Sequence, residues 1–374
     1  MKNKMIIVIL LIVIMISFTG CSFSKTKTST VVSENGLLNS SDIFTDKDLE
    51  QSIDTTNATK YTVSDGENIN ITKEGVYVIS GSAENVSITI DVDDTSKVWL
   101  VLSDLTIKNE STPCIYIKNA DKVFANLVGT NNLSVSDEFT TDDDTNTDAV
   151  IFSKDDLTIN GTGTLQISST NNGITSKDDL KITGGEINIT CSEDAIEANN
   201  SIASDDGNIT INSKKDGLHA EYSKDNNVGY IYISGGTLNI NASDDAIHAT
   251  TIVQIDDGNI TTNSHEGIEG TYIQINNGNI NISASDDAMN AGNKSSKYTT
   301  TIEINGGTIN IDMGQGDTDA IDSNGNLYIS GGTININAQS PFDYDGEGKL
   351  NGGEVTVNGS KINELTNQMM GGNR

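Results

Sequence analysis

From residue 148 onward the chain repeats one short motif: an acid or Asn, then Ala or Gly, then an aliphatic residue. The copies are Asp148-Ala149-Val150, Asn172-Gly173-Ile174, Asp194-Ala195-Ile196, Asp216-Gly217-Leu218, Asp245-Ala246-Ile247, Glu266-Gly267-Ile268, Asp287-Ala288-Met289 and Asp319-Ala320-Ile321. They are spaced by 24, 22, 22, 29, 21, 21 and 32 residues. Self-similarity at a fixed short period is the signature of a solenoid. The two long steps carry polar inserts, E-Y-S-K-D-N-N-V-G-Y from Glu221 and G-N-K-S-S-K-Y-T-T from Gly292.

Each copy holds three short strand patterns. The first contains the motif. The second is an L-x-I pair such as Leu157/Ile159, Leu180/Ile182 or Ile231/Ile233. After a Gly-Gly or Asp-Gly turn comes an I-x-I pair such as Ile187/Ile189, Ile209/Ile211 or Ile309/Ile311. Alternation with period two gives every strand one buried and one wet face. No copy spaces its apolar residues as a helix would. The chain is therefore expected to be all-β, a parallel β-helix with three strands per coil of about 22 residues. The usual crossover preference makes the coil right-handed, and coils stack at roughly 4.8 Å. The column Val150, Ile174, Ile196, Leu218, Ile247, Ile268, Met289, Ile321 reads as core. Residues 59 to 145 read as earlier, less regular coils, with Trp99 as core or cap. The helix domain spans 59–360, and 361–374 form a cap or tail.

The first residues, M-K-N-K-M-I-I-V-I-L-L-I-V-I-M-I, place two lysines before an apolar run too short for a comfortable membrane span. Phe18-Thr19-Gly20-Cys21 resembles a bacterial lipobox. That makes 1–20 a lipoprotein signal peptide and Cys21 the lipidated residue. The protein is then expected on the outer face of the cytoplasmic membrane, held by its lipid anchor. Residues 21–58 are rich in Ser, Thr, Asn and Lys and read as a flexible tether. Cys114 and Cys191 lie in strand-like runs and read as buried thiols without a bridge.

The formal net charge is −31; losing two lysines and no acids with residues 1–20 makes it −33. Such a field repels nucleic acid, and any polyanion unless a cation stands between. The single arginine is Arg374, so no arginine forks exist to grip phosphates or uronates. A monomer is the expectation.

With Ile196 facing inward, alternation puts Ala195 and Glu197 on the outer face. The small residues would form a low floor beside an outer column of Thr175, Glu197, His219, His248, Glu269, Asn290 and Asp322, with the leading acids at the corner. Corner Asp and Asn can simply bond nearby backbone or each other. Paired carboxylates stacked at strand spacing need a counter-charge, however. Calcium takes six to eight hard oxygens. Three groups could supply them: Glu193, Asp194, Glu197 with Asp216; Asp244, Asp245 with Glu266 and Glu269; and Asp286, Asp287, Asp317, Asp319 with Asp322. Asp142-Asp143-Asp144 reads as a solvated loop that could add another. His219, His248 and Asn290 are candidate ligand contacts.

The G-G-x-I-N-I turns, the D-A-I strands, the lipoprotein-like head and N-G-N-L-Y-I-S-G-G-T-I-N-I-N-A over 324–338 resemble a clostridial family of non-catalytic carbohydrate-binding lipoproteins. The resemblance covers roughly residues 60 to 358. It implies a right-handed, pectate-lyase-like β-helix that binds acidic plant polysaccharide, chiefly polygalacturonate, with bound calcium. Glu193-Asp194-x-x-Glu197 is similar to a lyase calcium signature, with Glu in place of Asp. On that reading the sugar chain lies along the alanine floor.

Two alternatives stay open. A calcium-dependent polysaccharide lyase would need a base near an acidified C5 proton; Lys154, Lys177, Lys181, Lys214 and Lys215 flank corners and read as solvated. A polygalacturonase is disfavoured by missing Gly-His-Gly and Arg-Ile-Lys elements. A calcium-stabilised adhesin or spacer has no sugar partner at all.

Overall fold

The computed structural model describes residues 37–142, 145–314 and 318–367. It is built almost wholly of short parallel strands. From the middle of the chain onward each strand pairs with the one three positions later: Asp179–Ile182 with Ser201–Ser204, Glu186–Thr190 with Asn208–Asn212, and Ile196–Ala198 with Leu218–Ala220. The three strand patterns of each copy thus feed three parallel ladders. The motif ladder is a separate sheet of twelve strands among the described residues, from Ile69–Ile71 to Asp343–Tyr344. The other two ladders merge because Gly75–Glu84 and Lys97–Asn109 run without a break through the corner between them. The register shifts at Ser80/Gly81, where Gly81 has φ +100°, and Asp104 takes φ +51°.

Stacking places like on like. Leu180, Ile202 and Ile231 pair in one ladder, and Ile187, Ile209 and Leu238 in the next; all are buried. With Ile196, Leu218 and Ile247 of the motif ladder they form one continuous apolar core. A solenoid core needs only nearest-neighbour contacts, so it extends coil by coil. At the last coil, Ile362 and Leu365 pack against the end of this core.

Five expectations need correction. The small column is not an outer floor: Ala195, Ala246, Ala288 and Ala320 are fully buried and belong to the core. A Cβ at Gly217 would lie 2.5 Å from Ile240 Cγ2 and 2.6 Å from the Ala246 carbonyl oxygen. From Ile196 onward the motif strand begins at the aliphatic residue, so the residue before it still belongs to the corner, and its side-chain direction does not follow strand alternation. In the first copy the register is one residue later: Ile151, not Val150, pairs with Ile174, though Val150 is also buried. Trp99 is neither core nor cap; it is half-buried and stacks on Phe124 with ring centroids 5.4 Å apart.

The remaining two corrections belong together. Residues 37–58 were expected to form part of a tether, yet a strap from Leu37 to Gln51 lies along the outside of the second ladder. A single helical turn, Ser40–Ile43, is capped by Asn39, whose side chain accepts from the Ser41 N–H. Ile43 and Phe44 bury themselves against Ala203 and Tyr232. Gln254 accepts from the Leu38 N–H and donates to the Leu38 carbonyl, as an added strand would. Gln51 donates to the Thr183 carbonyl and accepts from the Gly161 N–H. Asp48, fully buried, meets Lys122 at 2.6 Å and Lys181 at 3.3 Å, and accepts from the Thr158 hydroxyl at 2.7 Å. Lys181 is therefore buried beneath the strap and not solvated. Burial alone would raise the Asp48 carboxyl, but Lys122 and the Thr45 N–H outweigh it and hold it well below the usual carboxylate range.

Two outcomes check this packing. Gly217→Ala should cost about 1–3 kcal/mol, the penalty of overpacking, whereas an outer floor would tolerate it; chemical denaturation measures the difference. Asp48→Ala should cost about 3–5 kcal/mol because it leaves two lysines buried and unpaired. A depressed carboxyl stabilises above its unfolded pKa, 3.8, and loses that contribution as the pH falls below it. Hydrogen-exchange protection over residues 37–51, corrected for intrinsic exchange, should therefore fall as the pH drops below 3.8 in the native chain and be low already at neutral pH in the variant.

Candidate functional site

The outward residues of the motif ladder stack in the order read from the repeat. Thr175 pairs with Glu197, Glu197 with His219, His219 with His248, His248 with Glu269, Glu269 with Asn290, and Asn290 with Asp322. In earlier coils the same column holds Tyr116 and Phe152, buried and edge-to-face, with Lys118, Lys154 and Lys177 each over one of the rings.

Beside this column runs the corner column. One side-chain oxygen of four corner residues caps the backbone of the next coil: Asn172 Oδ1 accepts from the Asp194 N–H, Asp194 Oδ1 from Asp216, Asp216 Oδ1 from Asp245 and Asp287 Oδ1 from Asp319, at 2.9–3.2 Å. The backbone thus uses one oxygen of each acid and leaves the other free to face outward. Asp194 Oδ2 lies 2.9 Å from His219 Nδ1, and Asp216 Oδ2 lies 3.4 Å from the same nitrogen. Asp245 Oδ2 and Glu269 Oε2 lie 3.0 and 3.2 Å from His248 Nδ1.

The two polar inserts form the opposite bank. Glu221, first residue of the first insert, brings Oε2 to 3.8 Å from His219 Nε2 and 3.7 Å from His248 Nε2. Lys294 of the second insert pairs with Glu269 Oε1 at 2.8 Å. The inserts meet each other, Asn226 donating to the Lys294 carbonyl and Lys297 to that of Asn227. Between ladder and insert opens a cleft of about 440 Å³ lined by Lys177, Glu197, Asn199, His219, Glu221 and Tyr222.

Crowded, half-dry carboxylates resist ionisation. Burial pushes Asp216 up to about 7; His219 opposes the rise, and Asp245 and Asp194 add to it. Burial and Glu269 push Asp245 up to about 8 and Glu266 up to about 7. Burial and Asp322 push Asp287 up to about 8. His219 shows the reverse: burial opposes its charge, but Asp194 and Glu221 overcome that and raise it to about 10. His248 is held below its ordinary value by burial and, despite Glu269, by the adjacent His219 charge.

The three acidic groups expected from the sequence are partly redistributed. Glu193 turns aside to Lys215 at 2.5 Å. Glu197 accepts from Asn172 and Thr175 and pairs with Lys177 at 3.3 Å. Asp194 and Asp216 stay together, but around His219. Asp244 joins Asp216 and Asp245, while Glu266 joins His265 and Asp286 and accepts from Asn290. Asp287, Asp319 and Asp322 remain neighbours; Asp317, Asp143, Asp144 and Cys21 lie outside the described residues. Sequence reading missed Glu221 and Lys294, which sit in the inserts. Their signal was the inserts themselves, extra residues added in just two coils of a regular array. Asp156, Asp178 and Asp179 form another acidic group, at the start of the second ladder.

A family model described as carbohydrate-binding domain-containing protein matches residues 65–317 and 262–367. A carbohydrate-binding domain-containing protein of Acetivibrio thermocellus is 37% identical over 265 residues, 70% of this chain and 91% of that one. The chain therefore belongs to the carbohydrate-binding domain-containing protein family. A solved structure, the polysaccharide lyase-like protein from C. thermocellum as a gadolinium derivative, superposes with a TM-score of 0.54 at 31% identity, over 57% of this chain and 94% of that one.

The opposed shifts at the histidines give a direct check. In the cation-free protein, NMR titration should find His219 protonated through pH 8 and His248 neutral at pH 7. A group raised on folding stabilises fully below its unfolded pKa, 6.5, and loses that contribution as the pH rises through about 10. Asp194→Asn should bring the His219 midpoint down and shift this alkaline loss of stability to lower pH.

Proposed function

We propose that this chain is a non-catalytic, cell-surface protein that holds an acidic polysaccharide of the polygalacturonate type through calcium. The observation that carries the reading is the pair of carboxylate-rich columns, ladder and corner, running side by side along one face of a carbohydrate-binding family member. Burial first, and neighbouring carboxylates after it, raise Asp216, Asp245, Glu266 and Asp287 to about 7 to 8, so part of the rise reflects negative charge in excess of local counter-charge. A bridging divalent cation would relieve that excess and, at the same time, let a polyanion approach a chain of net charge −31. Oxygen-only groups such as Asp216, Asp244 and Asp245 suit calcium best. The repeat-wise spacing of the columns, one coil per strand spacing, matches an extended polymer better than a small ligand.

The rest of the reading follows the sequence. The coil is right-handed and pectate-lyase-like, and a lipid on Cys21 holds the protein on the outer face of the cytoplasmic membrane. A lyase remains the second reading, favoured by Lys177, whose ammonium stands at the cleft beside Glu197.

The full chain should be retained on immobilised polygalacturonate with calcium present and released by a chelator, without forming unsaturated products. Asp245→Asn with Glu269→Gln should weaken retention at least tenfold. Calcium at 100 times its dissociation constant should raise unfolding free energy by about 2.7 kcal/mol per site. Unsaturated products would establish the lyase; absence of retention in both conditions would leave a structural protein.

A further inference from the structure

Two histidines sit in consecutive coils of an otherwise acidic column, and oxygen-seeking calcium gives no reason for them. Each imidazole is held through Nδ1, His219 by Asp194 at 2.9 Å and His248 by Asp245 at 3.0 Å. With those carboxylates ionised, as a bound cation would leave them, each Nδ1 donates and Nε2 of the neutral ring keeps its lone pair. Both Nε2 atoms are shielded from solvent and make no hydrogen bond. Both point toward Glu221 Oε2, at 3.8 and 3.7 Å. The His248 side chain is only 12% exposed, so these are not atoms that water satisfies freely. A ring nitrogen turned outward, with its other nitrogen anchored on a carboxylate, is the arrangement that orients histidine toward a metal.

We propose that His219 Nε2, His248 Nε2 and Glu221 Oε2 form a binding site for a zinc-like divalent transition cation, separate from any calcium on the corner acids. Imidazole nitrogen suits borderline cations of the zinc, nickel and copper type and not calcium. Zinc bonds of about 2.0–2.1 Å place tetrahedral ligand atoms roughly 3.3 Å apart. The Glu221 oxygen needs to approach each nitrogen by about half an ångström, and the two imidazoles, whose ring centroids lie 4.8 Å apart, must also turn their Nε2 atoms toward each other. Three protein ligands leave the fourth position free, as in sites that keep a place for water or an incoming ligand, and the cleft lined by Glu197, Asn199 and Tyr222 lies on that side. The cation would displace the proton that His219 otherwise carries, and its charge would serve Asp194, Asp216, Asp245 and Glu269 as well. The site also accounts for the first insert, which departs from the repeat at the residue that completes the triad.

The test is calorimetric titration of the untagged full chain, stripped of metal, with Zn²⁺ and separately with Ca²⁺, no polysaccharide present. The expected result is one Zn²⁺ bound per chain, not displaced by excess Ca²⁺. His219→Ala with His248→Ala should weaken that binding at least 100-fold, and Glu221→Gln at least tenfold. Asp194→Asn should weaken it 10- to 100-fold through loss of orientation, and His265→Ala should leave it unchanged. X-ray absorption on the zinc-loaded native chain should show two imidazole nitrogens, a readout that stands even if the double variant folds poorly. An all-oxygen shell, undiminished binding without the two histidines, or Zn²⁺ binding no tighter than Ca²⁺ would overturn the proposal. None of these readouts involves carbohydrate, so the outcome does not depend on whether polygalacturonate is bound.

Discussion

Parallel stacking in fixed register governs the rest of this protein. Each residue of a coil lies over its counterpart in the next, one strand spacing away. For apolar residues this repetition is favourable, because isoleucine stacked on isoleucine fills the interior without gaps. For carboxylates it is costly, because it multiplies like-charge contacts along the axis. The same geometry therefore builds the core and the electrostatic tension on the surface. The corner acids show how part of that tension is absorbed: one oxygen of each is spent on a backbone N–H of the following coil. The acid that terminates one turn also positions the next, so these residues are structural before they are anything else.

What the sequence disclosed follows from which positions obey period two. The L-x-I and I-x-I pairs sit in the middle of regular strands, and their registers match the repeat at every coil compared, from Leu157 on Leu180 to Ile309 on Ile334. The outward column from Thr175 to Asp322 was equally plain, since each member directly follows a buried aliphatic residue. Alternation fails at corners. Ala195 precedes its strand, so its methyl turns into the core even though counting by twos sends it out. The extra residue in Asp148-Ala149-Val150-Ile151 shifts the register because two neighbouring aliphatics satisfy the motif equally well. The strap was hidden for another reason. Its composition is that of a linker, and only four residues, Ile43, Phe44, Asp48 and Gln51, do most of its anchoring. Their partners Lys181 and Tyr232, like Gln254 opposite Leu38, occupy positions that alternation marks as wet, and nothing local says that another segment covers them.

The strap and the acidic face solve opposite problems with the same residue types. Under the strap, one carboxylate is matched by two lysines and a hydroxyl, and burial is tolerated because the partners are present. On the motif face the carboxylates outnumber their cationic partners. Asp194, Asp216, Asp245, Glu269 and Glu221 surround two imidazoles and one lysine, Lys294. Protons can make up the difference only by binding to groups that would ordinarily be ionised, which is why Asp216 and Asp245 rise while His219 stays charged.

A protonated cluster of this kind is a poor end state for a protein working near neutral pH. Each raised carboxyl marks a place where a fixed positive charge would be more favourable. The histidines decide which charge fits where. On the proposed reading, oxygen-only positions at the corners would take a hard cation, whereas the Nε2 pair facing Glu221 would offer a softer one the nitrogen ligands that calcium does not use. The inserts strengthen the distinction. A regular solenoid repeats every site at every coil, so a unique site needs residues from outside the repeat. Glu221 and Lys294 are such residues: Glu221 reaches the ladder at two adjacent coils, through His219 and His248, and Lys294 at one, through Glu269. If the proposed function holds, a polymer would bind anywhere along the repeated columns, and only the coils beneath the inserts would tell one cation, or one end of a bound chain, from another.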